Sequence, residues 1–253
     1  MELITLTLCA LITSSISAVI GMGGGIILLA IMAIIIPEGY MVIALHGAIQ
    51  MFSNGTRTFI FRNHLKKQLL WEFLQGAIIG LSLSTIIIYA ITQYYDVSSA
   101  SQIKFEFLKP IIGIYIIWNL YLKGPKKKKK NKLFRIVGLI GGISSVFIGA
   151  AGPLIAPFFL KDSLHKKNII ANKAACQLIS HFGKIPIFIY LFDVNYVNEY
   201  NVLIPLAISV YIGTNIGKKL LEFIPEKIFK IVFKICLTII SIRLSPRTWK
   251  IGR

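Results

Sequence analysis

Acidic residues are scarce in this sequence. Its 253 residues include 10 Asp and Glu against 28 Lys and Arg, and charged residues of both signs make up 15% of the chain. A soluble domain carries about 25% charged residues, so the composition argues against a soluble fold. No acidic residue lies deep in an apolar segment. This distribution argues against a carboxylate proton relay, a sodium site and a catalytic carboxylate pair.

Cysteine is also rare. Cys9, Cys176 and Cys236 lie far apart in apolar segments and form no CxxC motif. This pattern indicates small buried side chains rather than disulfides or metal ligands. The HExxH and GxSxG motifs of metalloproteases and serine hydrolases are absent as well. We therefore predict no bound metal, no cofactor and no enzymatic activity.

Long apolar runs, in contrast, are abundant. Hydrophobic residues make up 55% of the chain, and the mean hydropathy is +0.73. A membrane-spanning helix needs about 20 predominantly apolar residues, so these runs and their short connecting loops predict an all-α, polytopic integral membrane protein. The runs cover residues 3–20, 26–36, 41–61, 69–89, 105–122, 133–148, 154–160, 169–191, 202–216 and 228–244.

Much of the formal net charge of +18 lies in basic loops between these runs, above all in residues 123–132. In a soluble protein this charge would indicate nucleic-acid binding, but here a cytoplasmic loop facing anionic lipid explains it. We predict the lipid bilayer as a partner and no nucleic acid. The loop divides the chain into a first membrane repeat, residues 1–122, a basic cytoplasmic linker, and a second membrane repeat, residues 133–253.

A glycine cluster occurs in each half, before an apolar run that is too short to cross a membrane alone. The first cluster contains Gly21, Gly23, Gly24 and Gly25, and the second contains Gly149 and Gly152. Glycine tolerates the backbone angles of a helix break, so we predict a glycine-broken, half-helical element in each half. The free N–H groups of a half-helix favour an anion. Close packing of small residues is the alternative interpretation.

Polar side chains form a stripe after each glycine cluster. The first stripe is Gln50, Ser53, Asn54 and Arg57, and the second is Gln177, Ser180, His181 and Lys184. Both have the i, i+3, i+4, i+7 spacing of one helix face, and His46 and Lys173 lie one turn earlier on the same faces. Amide and hydroxyl groups bracketed by cations suit an oxyanion. The alternative is interhelical hydrogen bonding, with Arg57 and Lys173 extending to the membrane surface.

The basic loops also predict the membrane topology. If residues 123–132 are cytoplasmic, a re-entrant hairpin over residues 133–160 places the later lysine-containing loops in the cytoplasm too, whereas a full crossing places them outside. With the hairpin, each half contains one glycine-broken re-entrant element and three transmembrane helices. An odd number of crossings inverts the second half, so we predict two inverted repeats with a binding site between them.

These motifs resemble the sulfite exporter TauE/SafE family of membrane permeases. The resemblance rests on the first glycine cluster, the helix with Ala44, Gln50, Ser53 and Arg57, the following Arg62-Asn63-His64, and the equivalent cluster and helix of the second half. It implies a multi-pass transporter of the inner (plasma) membrane that moves small organosulfur or sulfur oxyanions. The glycine clusters and the polar stripes would form its path.

We therefore predict a permease that moves a small anion, such as a sulfur-containing oxyanion or an organosulfonate, by alternating access. His46 and His181 are candidate proton carriers or, alternatively, hydrogen-bonding core residues. A homo-oligomer is compatible with the sequence. The alternative functions are a non-transporting membrane scaffold or assembly factor, and a membrane-embedded enzyme.

Overall fold

A computed structural model describes residues 2–21, 23–100, 133–160 and 164–244. The expected span at residues 105–122 and the basic linker at residues 123–132 lie outside the described residues. The described part of the chain is helical and contains no strand, which confirms the all-α class.

Nine α-helices make up the described ranges, with 3₁₀ turns at Arg62–His64 and Ala156–Phe159. The helices are α1 (Glu2–Ile20), α2 (Gly24–Ile35), α3 (Gly39–Ile60), α4 (Lys67–Tyr94), α5 (Leu133–Phe147), α6 (Gly152–Ile155), α7 (Lys166–Phe192), α8 (Tyr200–Glu222) and α9 (Glu226–Leu244).

Four of the described helices, α1, α4, α7 and α8, are long and apolar enough to cross a membrane, and α2 and α5 are shorter apolar helices. Large apolar side chains also cover the outside of the bundle, among them Ile34, Trp71 and Phe182. An aqueous surface disfavours so many exposed apolar groups, whereas lipid accommodates them. The expectation of a membrane protein is confirmed in this respect.

The helices α3 and α7 form the centre of the bundle and run antiparallel. Asn168 and Asn172, at the start of α7, donate to the His64 carbonyl oxygen beyond the end of α3. Lys184, late in α7, donates to the Ile43 carbonyl oxygen near the start of α3. The two polar stripes therefore lie on facing helices, and their residues follow one another in opposite directions along the bundle.

Two parallel helix pairs flank this centre, α1 with α8 and α4 with α5. Glycine makes both approaches close: Gly213 and Gly217 of α8 lie against Leu11 and Ser15 of α1. Gly76 and Gly80 of α4 lie in the same way against Arg135 and Leu139 of α5. In each pair, the later glycine contacts the later residue of the other helix, so the two helices are parallel.

Apolar clusters enclose the central pair at both ends. One cluster surrounds the end of α3 and the start of α7, and includes Phe61, Phe159 and Ile169. Two others surround the start of α3 and the end of α7, and include Leu45 and Phe188. The polar side chains of α3 and α7 thus lie midway along the bundle, between apolar layers.

Candidate functional site

A cavity lies between the two helix breaks, and both halves of the chain line it. From the first half come Ser17, Gly23, Gly25, Ile26, His46, Gln50 and Arg57, and from the second Ala150, Gly152, Pro153, Lys173, Gln177 and His181. The structure therefore brings both glycine clusters and both polar stripes to one place, although they are more than a hundred residues apart in sequence.

The two breaks begin with glycines of nearly equal, positive φ. Gly21, after α1, has φ 81°, and Gly149, after α5, has φ 79°. Residues other than glycine rarely adopt this left-handed region. Each break is also contacted by the opposite half: the Lys173 ammonium donates to the Gly21 carbonyl oxygen at 2.9 Å, and His46 Nδ1 lies 3.1 Å from the Gly149 carbonyl oxygen.

Arg57 is buried at 2% exposure, so it does not extend to the membrane surface. Its guanidinium donates to Asn54 Oδ1 at 2.7 Å, to Ser53 Oγ at 3.3 Å and to the Ser17 carbonyl oxygen at 3.4 Å. Ser53 and Asn54 do not line the cavity. They hold the guanidinium in place, and the guanidinium lines the cavity.

Lys184 matches Arg57 in sequence but lies outside the cavity lining. Its ammonium donates to the Ile43 and Ser145 carbonyl oxygens, at 2.9 Å and 3.3 Å. Lys173, at 2% exposure, lines the cavity instead. The sequence pattern also indicated Lys173, because this residue lies one turn before the second stripe on the same helix face.

The two glutamines lie beside the breaks of their own halves. A Cβ atom added at Gly25 would lie 3.1 Å from Gln50 Oε1, and one added at Gly152 would lie 2.8 Å from Gln177 Nε2. Gln177 Oε1 accepts a hydrogen bond from Lys173 at 3.0 Å. The amide groups therefore border the cavity where glycine leaves room for them.

The remaining members of the stripes divide into two kinds. The Ser180 hydroxyl donates to the Cys176 carbonyl oxygen of its own helix and does not line the cavity. His181 lines the cavity, and neither ring nitrogen has a hydrogen-bond partner among the described residues. The His181 ring lies edge-on to His46, with 6.1 Å between the centroids. Gly21, Gly24 and Gly149 shape the breaks but lie outside the lining.

The charged side chains described at this site are all basic. Arg57, Lys173 and Lys184 are buried, and none forms an ion pair with a carboxylate of the described residues. Unpaired buried cations are costly, and no acidic residue is among the described residues that line the cavity. Such a site attracts an anion. The described residues form no group of three His, Cys, Asp or Glu side chains that could hold a metal ion.

Comparison with known families agrees with this description. A family model described as Sulfite exporter TauE/SafE matches residues 6–244. The chain belongs to this family. The resemblance drawn from the motifs is thus confirmed, and membership places the chain among membrane transporters rather than among enzymes. Searches of curated proteins and of solved structures found no match to this TauE/SafE chain.

Proposed function

We propose that this TauE/SafE protein carries a small sulfur oxyanion or organosulfonate across the inner (plasma) membrane, through the cavity between the two breaks. The observation that carries the proposal is the convergence of the buried side chains of Arg57, Lys173 and His181 on one cavity, without an acidic partner among the described residues. Binding an anion there relieves the repulsion among these groups and satisfies donors that lack a partner.

The donors suit a tetrahedral or pyramidal oxyanion. Arg57 offers a planar guanidinium, Lys173 a point charge, and Gln50 and Gln177 offer amide donors from opposite halves. The first turn of α2 begins beside the cavity at Gly24, and the unpaired N–H groups of a helix start favour negative charge. A sulfonate or sulfite group has three oxygens that these donors reach from different sides.

Equivalent contacts in the two halves support an inverted repeat. Arg57 donates to Ser17 as Lys184 donates to Ser145. Across the halves, Lys173 contacts the first glycine of one break, and His46 contacts the first glycine of the other. The parallel helix pairs correspond as well. In the repeat, α1 of the first half is equivalent to α5 of the second, and α8 of the second half is equivalent to α4 of the first.

The helix directions support re-entrant hairpins. Lys166, at the start of α7, donates to Leu221 at the end of α8, so α8 runs opposite to α7 and in the direction of α3. Because α1 is parallel to α8, it also runs in the direction of α3, and α2 has to return between them. The first break then lies at the tip of a hairpin, and discontinuous helices of this kind form the substrate sites of many inverted-repeat transporters.

A reconstituted transport assay tests this function. Wild-type protein in proteoliposomes should release internal [³⁵S]sulfite, and the double variant Gln50→Leu/Gln177→Leu should lose transport without losing incorporation. Two lost hydrogen bonds of about 0.5–1.5 kcal/mol each correspond to roughly a fivefold to 150-fold loss of apparent affinity. The control is Gln68→Leu on the exposed surface of α4, which should transport normally. Equal transport by the double variant and the control would contradict the site assignment.

The scaffold alternative predicts a different interior. In a scaffold, the two stripes would bond only to each other and leave no space between the halves. Here Arg57 is held by its own helix and by Ser17, and it shares the lining of a cavity with Gln177 and His181 of the second stripe. The arrangement favours transport.

A further inference from the structure

His46 faces a carbonyl oxygen with each of its ring nitrogens. Nε2 lies 2.7 Å from the Gly25 oxygen, and Nδ1 lies 3.1 Å from the Gly149 oxygen. A carbonyl oxygen only accepts hydrogen bonds, and a neutral imidazole has one N–H donor and one bare nitrogen. Neutral His46 therefore satisfies one contact and directs a lone pair at the other oxygen. The imidazolium donates to both.

The surroundings of His46 oppose that positive charge. Its titratable and charged neighbours are His181, Lys184 and Lys173 of α7 and Arg57 of α3. The helices α2 and α6, which flank the breaks, carry no titratable side chain. Burial and like charges disfavour a further proton, and the described part of the cavity lining offers no carboxylate to offset them. Hydrogen bonds to both carbonyl oxygens thus require the imidazolium form of His46, whereas the neighbouring positive charges disfavour it.

An anion in the cavity resolves this conflict. His46 lines the same cavity as Arg57 and Lys173, so a bound anion places opposite charge beside the imidazole and favours its charged form. By linkage, a proton on His46 strengthens anion binding to the same degree.

We propose that His46 binds a proton together with the transported anion, an inference that rests on the proposed transport function. The bare ring nitrogen takes one proton from water, no bond to the anion forms, and nothing is oxidised or reduced. Because His46 contacts Gly25 of the first break and Gly149 of the second, protonated His46 donates a hydrogen bond to each break. Loss of the proton releases one of these contacts, which links the proton to the movement of one half against the other.

Calorimetry of anion binding measures the proton directly. Purified protein is titrated at pH 7 with methanesulfonate and with thiosulfate, in bis-tris and in Tris, which differ in protonation enthalpy and contain no sulfonate. Both anions stay ionised at this pH, so any proton taken up goes to the protein. We expect uptake of about one proton per anion. His46→Gln should reduce the uptake to near zero, and His64→Gln, which changes a side chain outside the cavity, should leave it unchanged.

A second measurement needs no variant. The protein is labelled with [¹⁵N]histidine and studied at pH 8, where an imidazole with the reference pKa of about 6.5 is neutral. Saturation with methanesulfonate should produce a histidine with both ring nitrogens at the imidazolium shift.

Binding heat that is identical in both buffers, together with a spectrum of neutral histidines only, would overturn the inference and leave the anion site intact. If methanesulfonate, thiosulfate and sulfite all fail to bind, the proposed function itself is contradicted, and this inference falls with it.

Discussion

Two buried lysines of one helix have different surroundings. Lys173 and Lys184 both lie on α7 and are both almost completely buried. Lys173 lines the cavity and bonds to Gly21 and Gln177, whereas Lys184 bonds to two backbone carbonyl oxygens away from it. Substitutions of the two lysines therefore distinguish a role in anion binding, expected for Lys173, from a role in helix packing, expected for Lys184.

Replacing each lysine by methionine removes the charge and keeps a side chain of similar length. We expect Lys173→Met to weaken sulfite binding by roughly tenfold to a hundredfold, since a charge-assisted hydrogen bond contributes about 1.5–3 kcal/mol. Lys184→Met should weaken binding less than Lys173→Met does, because the Lys184 ammonium bonds to backbone carbonyl oxygens and does not line the cavity. Sulfite titrations of the two purified variants check this. A larger loss of affinity in Lys184→Met would show that the second stripe binds the anion as the sequence suggested.

At this scale the sequence predicted the polar face but not the partner of each side chain. The spacing of Gln50, Ser53, Asn54 and Arg57 predicted one helix face, and the structure has it. Ser53 and Asn54 hold the guanidinium from within α3. That Lys173 rather than Lys184 borders the cavity depends on how far α7 is shifted along α3. A single helix does not encode that shift.

Asn172 makes two of the hydrogen bonds that join the turn after α3 to α7. Asn172 is fully buried. Its Oδ1 accepts from the Lys66 backbone N–H at 2.7 Å, and its Nδ2 donates to the His64 carbonyl oxygen at 3.0 Å. The side chain thus satisfies the backbone of the turn between α3 and α4.

Asn172→Ala should destabilise this join. It removes two hydrogen bonds to this turn, each contributing about 0.5–1.5 kcal/mol, so the midpoint of thermal unfolding in detergent should fall. Asn215→Ala is the control, because half-buried Asn215 bonds to Tyr211 of its own helix, and its effect should stay within about 0.5 kcal/mol. Equal unfolding midpoints for the two variants would contradict the role of Asn172.

The half-helices show what the apolar pattern could and could not predict. The run at residues 26–36 predicted a short helix, and α2 covers Gly24–Ile35. The run at residues 154–160 predicted a similar half-helix, but α6 ends at Ile155 and a 3₁₀ turn follows. Pro157 accounts for the difference, because proline lacks an N–H group and its ring clashes with the preceding helical turn.

For the whole molecule, inverted halves predict the side of every loop. With residues 123–132 in the cytoplasm, the turn after α3 and the turn after α8 are cytoplasmic, and the turns before α3 and after α7 are outside. Single cysteines at exposed positions in a cysteine-free background check this with a membrane-impermeant maleimide. Gly39→Cys and Asn198→Cys should react in intact cells, and Arg62→Cys and Phe223→Cys only after permeabilisation. Reaction of Gly39→Cys and Phe223→Cys from the same side would exclude the inverted arrangement.

The overall class was accessible from composition, because scarce acids and long apolar runs leave few soluble alternatives. The meeting of both breaks and both stripes in one cavity was a hypothesis based on duplication alone. Its geometry required the parallel contacts of α1 with α8 and of α4 with α5, which glycines such as Gly76 and Gly213 permit.

Crystals grown with selenite test whether the cavity is the anion site. Selenite has the shape and charge of sulfite, and selenium is located by anomalous scattering. We expect one selenium peak in the cavity between the two breaks, in contact with the Lys173 ammonium, and no peak there in Lys173→Met. Selenite that competes with sulfite for binding, yet occupies only positions outside this cavity, would contradict the assignment.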